Sequence, residues 1–362
     1  MTDSVEVAGT IAPAKLRDRR RDRALIRAWL GAVIVMIIAM IVVGGATRLT
    51  NSGLSITEWK PIHGVIPPLN LSEWQEEFTK YQQIPQYQQL NKGMSLDAFK
   101  AIFWWEWGHR LLGRLIGVVF FLPLLFFWFT GRIERKLVPP LVGLFVLGGL
   151  QGGVGWWMVA SGLVNRVDVS QYRLATHLVI ACLILAAAVW IRRGLAPSDG
   201  DAPAATAPLK GMATFLVVLV FVQIFLGGLV AGLDAGFTYN TWPLIDGAII
   251  PSRVYQYDPM WRSVFEDVMT VQFDHRMVAY LLLVGALVHA FQTFRLARGS
   301  RAARRARHLA VLVLAQAGLG IATLLLVVPI DVALTHQFGA AVVLIAAVSH
   351  RRALSSPIPI DD

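Results

Sequence analysis

Residues 44–68, GGATRLTNSGLSITEWKPIHGVIPP, align without a gap on residues 227–251, GGLVAGLDAGFTYNTWPLIDGAIIP, at a constant offset of 183. Eight of the 25 positions are identical: Gly44/Gly227, Gly45/Gly228, Gly53/Gly236, Trp59/Trp242, Ile62/Ile245, Gly64/Gly247, Ile66/Ile249 and Pro68/Pro251. Each stretch leaves an apolar segment and enters a connection punctuated by Gly and Pro. Three further pairs follow in the same order. His109-Arg110 recurs as His275-Arg276, Thr176-His177 as Thr335-His336, and Gln151-Gly153-Gly155 as Gln316-Gly318-Gly320. The chain therefore reads as an internal duplication.

Outward from these stretches, eight segments lack Asp, Glu, Lys and Arg: 28–47, 115–131, 137–165, 174–191, 211–233, 277–294, 309–330 and 332–350. Crossing a hydrocarbon core takes about 20 residues of helix. The second segment is short, so its helix is expected to begin earlier, near Trp104. Segments seven and eight are parted only by Asp331, which with Pro329 predicts a tight hairpin. Of 362 residues, 56% are hydrophobic and 15% charged, and the mean hydropathy is +0.57. A soluble domain would carry about 25% charged residues. The predicted fold is an all-α integral membrane protein with eight transmembrane helices in two four-helix bundles. An even number of helices per repeat gives both bundles one orientation, with a pseudo-two-fold axis along the membrane normal.

The formal charge of +10 gains its meaning from position. With the N-terminus inside, the inner segments carry 21 of the 33 Lys and Arg residues and net +12, leaving −2 elsewhere. That is a topology signal, N-in and C-in, rather than a nucleic-acid-binding one. The expected organisation is a basic cytoplasmic tail (1–26), a first bundle (27–193) with a long external loop (48–100), a cytoplasmic linker (194–210), a second bundle (211–352) and a tail (353–362). Residues 1–26 run into the first span without an A-x-A site, as a signal anchor does. The stretch APSDGDAPAATAP, 196–208, has the composition of a flexible linker. The single cysteine, Cys182, excludes an intramolecular disulfide or a CxxC site. In the first external loop, SEWQEEFTKYQQIPQYQQL (72–90) interleaves aromatic with polar residues, predicting short amphipathic helices that cover the first bundle.

Four of the eight histidines belong to the repeat: His109, His177, His275 and His336. All four are expected in the first turns of the outside-to-inside helices, about 6 to 8 Å below the helix start at 1.5 Å per residue. A lone intramembrane histidine can serve as an interhelical hydrogen bonder. Two equivalent pairs, each on two helices and at one depth, fit axial ligation of a flat macrocycle better, and haem iron takes two imidazoles. Zinc would need three or four converging ligands. Arg110, Arg114, Arg276 and Arg48 lie near the outer boundary, where they would either meet haem propionates bidentately or snorkel to lipid phosphate. His63 falls in the external loop. His289, His308 and His350 fall toward the cytoplasmic side and are expected to be interfacial or solvated.

The halves differ at one position. Glu106 stands three residues before His109 and so shares its helix face, whereas Gln272 stands three before His275. A carboxylate can act as a base or stabilise a cation, which an amide cannot. The first half is therefore expected to do chemistry and the second to carry electrons, unless Glu106 merely faces water among Trp104, Trp105 and Trp107. Asp274 points elsewhere on its helix.

GGATRLTNSGLSITEWKPIHGVIPP, the WEWGHR motif, the Thr-His pairs and the eight-helix repeat together resemble the haem A synthase family over about residues 25–352. The resemblance implies oxidation of the C8 methyl of haem O to the formyl group of haem A for cytochrome c oxidase. It also implies His109 and His177 as ligands of the substrate haem, His275 and His336 as ligands of a resident haem b, and Glu106 as the catalytic carboxylate. Without an external cysteine pair, the chain is similar to the cysteine-poor proteobacterial and mitochondrial type. Further implications are the bacterial inner membrane with haem sites toward the periplasm, haem O synthase as substrate donor, cytochrome c oxidase assembly factors and membrane lipid as partners, and room for a homo-oligomer. From the residues alone, a di-haem b cytochrome linking quinol to an outer acceptor also accounts for the four histidines, though not for Glu106. A transporter shares only the repeat.

Overall fold

The computed structural model describes residues 13–197 and 207–360. Among the described residues, eight helices are long and apolar enough to span a membrane. They are α1 (Pro13–Leu49), α4 (Leu96–Phe129), α5 (Val138–Ala160), α6 (Gln171–Gly194), α7 (Ala207–Gly232), α9 (Val268–Leu296), α10 (Arg301–Leu325) and α11 (Ile330–Ala353). Three shorter helices, α2 (Leu71–Tyr81), α3 (Pro85–Gln89) and α8 (Ser263–Glu266), lie in the long connections. In hydrocarbon every backbone N–H and C=O must be satisfied internally, which leaves long apolar runs little choice but helix. Pro123 tests that rule inside α4. It cannot donate to the Val119 carbonyl one turn earlier, and the Trp29 indole of α1 donates there instead, at 2.9 Å.

Three boundaries differ from those the sequence predicts: α7 starts at Ala207, inside the expected 194–210 linker, and the starts of α1 and α4 move as well. Helix α1 starts at Pro13, so part of the expected tail is helix; residues 1–12 and most of the 196–208 linker lie outside the described residues. Helix α4 starts at Leu96 rather than near Trp104, because Ser95 caps it by accepting from the Ala98 amide at 3.2 Å. Its extra turns carry Phe99 and Phe103, which pack with Tyr81, Ile84, Leu54 and Val159 in a separate apolar cluster beneath α2 and α3. That cluster anchors the long first connection. Helix α2 begins on an Asn70–Glu73 capping box, the Glu73 amide donating to Asn70 Oδ1 at 3.0 Å and the Glu73 carboxylate accepting from the Leu69 amide at 2.7 Å.

Glycines decide how the bundles meet. On α7, a Cβ at Gly228 would lie 2.9 Å from Ala175 Cα and one at Gly232 would lie 2.6 Å from Gln171 Cα, so α6 and α7 approach through small residues four apart. On α1, a Cβ at Gly45 would collide with the Gln337 side chain of α11, whose amide donates to the Ile41 carbonyl at 2.7 Å. Gly45 and Gly228 are repeat partners. Each therefore faces the opposite bundle.

At one end of the molecule the tail after α11 folds back over the helix ends. The Ile358 amide donates to the Gly194 carbonyl at 3.0 Å, and Arg23 reaches Glu134 and the carbonyls of Ile358 and Pro359. The opposite end carries the long connections 50–95 and 233–262 and the Pro329 hairpin between α10 and α11, where Val327 and Val328 adopt positive φ. There Arg48 donates to the Ala231 carbonyl and Asp234, tying the end of α1 to the end of α7.

Candidate functional site

His109 and His275 sit on α4 and α9, His177 and His336 on α6 and α11. Within each bundle the two imidazoles lie in electrostatic range of one another, His109 with His177 and His275 with His336. All four are partly buried. Three lie six or seven residues into their helices; His109 lies thirteen in, because α4 is extended at its start. The four belong to the half of the helices nearer the long connections.

Each imidazole leans against a glycine of a neighbouring helix. A Cβ at Gly44 would come within 3.1 Å of His109 Nε2, and one at Gly227 within 3.2 Å of His275 Cε1. A Cβ at Gly155 or at Gly320 would lie 2.9 Å from His177 Cε1 or His336 Cε1. The two glycines of each duplicated Gly-Gly pair thus serve different neighbours. The first makes room for the histidine of its own bundle and the second for a helix of the other. The Gln-x-Gly-x-Gly motif is explained as well. Gln151 donates to the His177 carbonyl and Gln316 to the His336 carbonyl, both at 2.8 Å. Gln223 donates to the His275 carbonyl at 3.0 Å. Sequence pattern alone assigns these glutamines no role, although two of them recur in a repeated motif.

This donor set fits haem. In each bundle the two imidazoles come from different helices and each packs against a glycine, and His177 Nδ1 is buried without a hydrogen-bond partner. Among the described residues no three His, Cys, Asp or Glu side chains gather as a zinc site requires.

Glu106 is 2% exposed, so the water-facing alternative falls. Its Oε1 accepts from Arg110 Nε at 3.1 Å and Nη2 at 2.6 Å, and its Oε2 accepts from Ser55 Oγ at 2.7 Å and the Ile56 amide at 2.8 Å. Arg110 also donates to the carbonyls of Ile56 and Glu58. The second bundle repeats the clamp in neutral form. Gln272 accepts from Arg276 at 2.7 Å and donates to the carbonyls of Ala235 and Thr238, while Arg276 donates to those of Tyr239 and Thr241. Arg110 and Arg276 thus bind the loops that follow α1 and α7, whereas their sequence positions point them toward propionates. Arg114 binds the carbonyls of Lys60 and Pro61, and Arg48 bridges the bundles. Buried donors without a partner remain at Arg114 Nη1 and Arg276 Nε. Asp274 accepts from Tyr255.

His63 and His308 are exposed. His289 and His350 are not: they are 0% and 1% exposed, with Nε2 atoms 2.8 Å apart. The expectation of interfacial or solvated side chains fails for this pair because α9 and α11, each packed against α7 and α10, turn the two imidazoles toward one another inside the bundle.

The eight membrane-length helices among the described residues define a multi-pass helical membrane protein, with His109 and His177 on two helices of its first half and His275 and His336 on two of its second. Residues 27–348 match the model of a family described as cytochrome oxidase assembly protein. Among similar proteins, Heme A synthase of Chelativorans sp. (strain BNC1) is 60% identical over 349 residues, 96% of each chain. That of Mesorhizobium japonicum is also 60% identical, over 350 residues and 96% of each chain, and that of Allorhizobium ampelinum is 57% identical over 98% of each. The chain belongs to the haem A synthase family.

Proposed function

We propose that this protein oxidises the C8 methyl group of haem O to the formyl group of haem A, supplying cytochrome c oxidase biogenesis. The observation that carries the reading is the pair of imidazole centres in matched settings, only one of which has a buried carboxylate. His109 and His177 hold the substrate haem. His275 and His336 hold a haem b, which supplies a one-electron redox centre. Converting methyl to formyl with oxygen from water releases four electrons and four protons, in two steps through an alcohol, and the electrons pass to an external acceptor. Four donors occupy the lone pairs of Glu106, so it acts as a fixed negative charge toward positive charge developing at the methyl carbon. Arg114 and Arg276 offer their free donors to propionates. On this reading the first bundle, 27–193, serves the substrate and the second, 211–352, haem b, with the linker 194–210 running into the first turn of α7.

The Lys- and Arg-rich end faces the cytoplasm and the imidazole half faces the periplasm of a bacterial inner membrane. Haem O, an apolar substrate, is handed over by haem O synthase, and haem A passes to oxidase assembly factors. The connections expose Trp59, Ile62, Ile66, Trp242 and Ile249, which suit lipid or a second copy of the chain. Chromatography and mass analysis of haems extracted from the purified protein test the reading. Haem O, its alcohol or haem A alongside haem b is expected. Haem b alone would favour a di-haem b cytochrome, and no haem would end both.

A further inference from the structure

The carboxylate of the first bundle is held from outside its own helix. Ser55 is 1% exposed, and its hydroxyl donates to Glu106 Oε2 at 2.7 Å. The neighbouring Ile56 amide shares that oxygen, while Arg110 takes the other. Thr238 occupies the repeat position of Ser55. Its hydroxyl instead donates to the Ala235 carbonyl at 3.1 Å, and its own carbonyl accepts from Gln272 at 2.7 Å. The loop segment thus donates where the helix presents a carboxylate and accepts where it presents an amide. Sequence and hydrogen-bond polarity have changed together at two positions far apart in the chain.

We propose that Ser55 is a positioning residue of the first site, fixing the rotamer of Glu106 and the distribution of charge between its two oxygens. The proposal rests on the reading of Glu106 as the carboxylate that acts on the substrate methyl. Arg110 is on the same helix, four residues along, and alone would draw the carboxylate toward the guanidinium through Oε1. Ser55 and the Ile56 amide pull from the loop side through Oε2. Between them the carboxylate plane is held. Burial keeps water from replacing the hydroxyl, and a hydrogen bond to a charged group in such surroundings is among the stronger ones.

The test compares Ser55→Thr with Ser55→Val, which have nearly the same shape and differ in the hydroxyl, in the full-length protein with its haem complement. Glu106→Gln is the reference. For Ser55→Val, turnover of haem O is expected to fall about ten-fold. KM for haem O and the haem absorption spectrum stay unchanged, and the alcohol accumulates over the aldehyde. The infrared carboxylate band that disappears in Glu106→Gln is expected to shift in Ser55→Val and return to its place in Ser55→Thr. Equal turnover and an unmoved band in the two Ser55 variants, with Glu106→Gln inactive, would overturn the proposal and leave the role of Glu106 standing. An active Glu106→Gln would overturn both.

Discussion

The ends of α4 and α9 nearest the long connections are the same device built twice, with a different charge. In each, a residue three before the histidine pairs with an arginine one position after it, and the arginine binds carbonyls of the loop that follows the first helix of the bundle. The first copy uses Glu106 and Arg110, the second Gln272 and Arg276. Position and architecture are shared, so neither explains why one half would do chemistry. What differs is a buried negative charge and the donors arranged to receive it, Ser55 and the Ile56 amide. The comparison teaches that the clamp is structural in both halves and that the carboxylate is an addition to it.

The largest effect should come from removing that addition. Glu106→Gln keeps a side chain able to accept from Arg110, as Gln272 does from Arg276, so the fold and both haem spectra should persist. Conversion of haem O should fall by a factor of about 100 or more, the scale seen when an electrostatic group in a water-excluded site is lost. Normal haem A yield would show that the charge difference is idle. The reciprocal Gln272→Glu should destabilise the second bundle and lower its haem b content, since the Ala235 and Thr238 carbonyls that accept from the Gln272 amide would face a carboxylate.

Next in size are the glycines. Gly44→Leu should push the His109 ring and Gly227→Leu the His275 ring, each costing about 1–3 kcal/mol of overpacking. Titration with haem should show weakened binding in one bundle only, the one carrying the substitution. Equal loss in both bundles would mean that the two glycines act through the interface between them.

Much of the design is legible in the sequence because hydrocarbon is an exacting solvent. Eight uncharged runs, the Pro329 hairpin and the duplicated histidines follow from hydropathy and spacing. The start of α4 does not, since Asp97 and Lys100 make its first turns resemble a polar loop until Phe99 and Phe103 are seen to pack against Tyr81. His289 and His350 each lie alone in an apolar span near a basic end, and only the shared packing of α9 and α11 against α7 and α10 brings them together. The pairing of Glu106 with Arg110 was within reach, four residues apart on one helix. Ser55 was not, because nothing in a loop serine marks it for a carboxylate 51 residues away.

Smaller effects belong to the surfaces. Arg48→Ala removes a contact with Asp234 whose side chains are 24% and 53% exposed, and should lower thermal stability by about 1 kcal/mol at most. Hydrogen bonds from Lys60 and Lys80 hold the Glu58 carboxyl below its ordinary value of 4.5. Its contribution is full above that pH and fades as pH falls through the lower folded value. The amide protection factors across α2, corrected for the intrinsic pH dependence of exchange, should therefore fall only below about pH 4.5, and Glu58→Gln should lower them already at neutral pH.

The division of labour between the bundles is tested most directly by the haem content of two purified variants, His109→Ala/His177→Ala and His275→Ala/His336→Ala. The first should retain haem b and lose haem O, its alcohol and haem A; the second should lose haem b. Loss of haem b from the first variant, with haem O or haem A kept, would contradict the assignment of substrate to the bundle that carries Glu106.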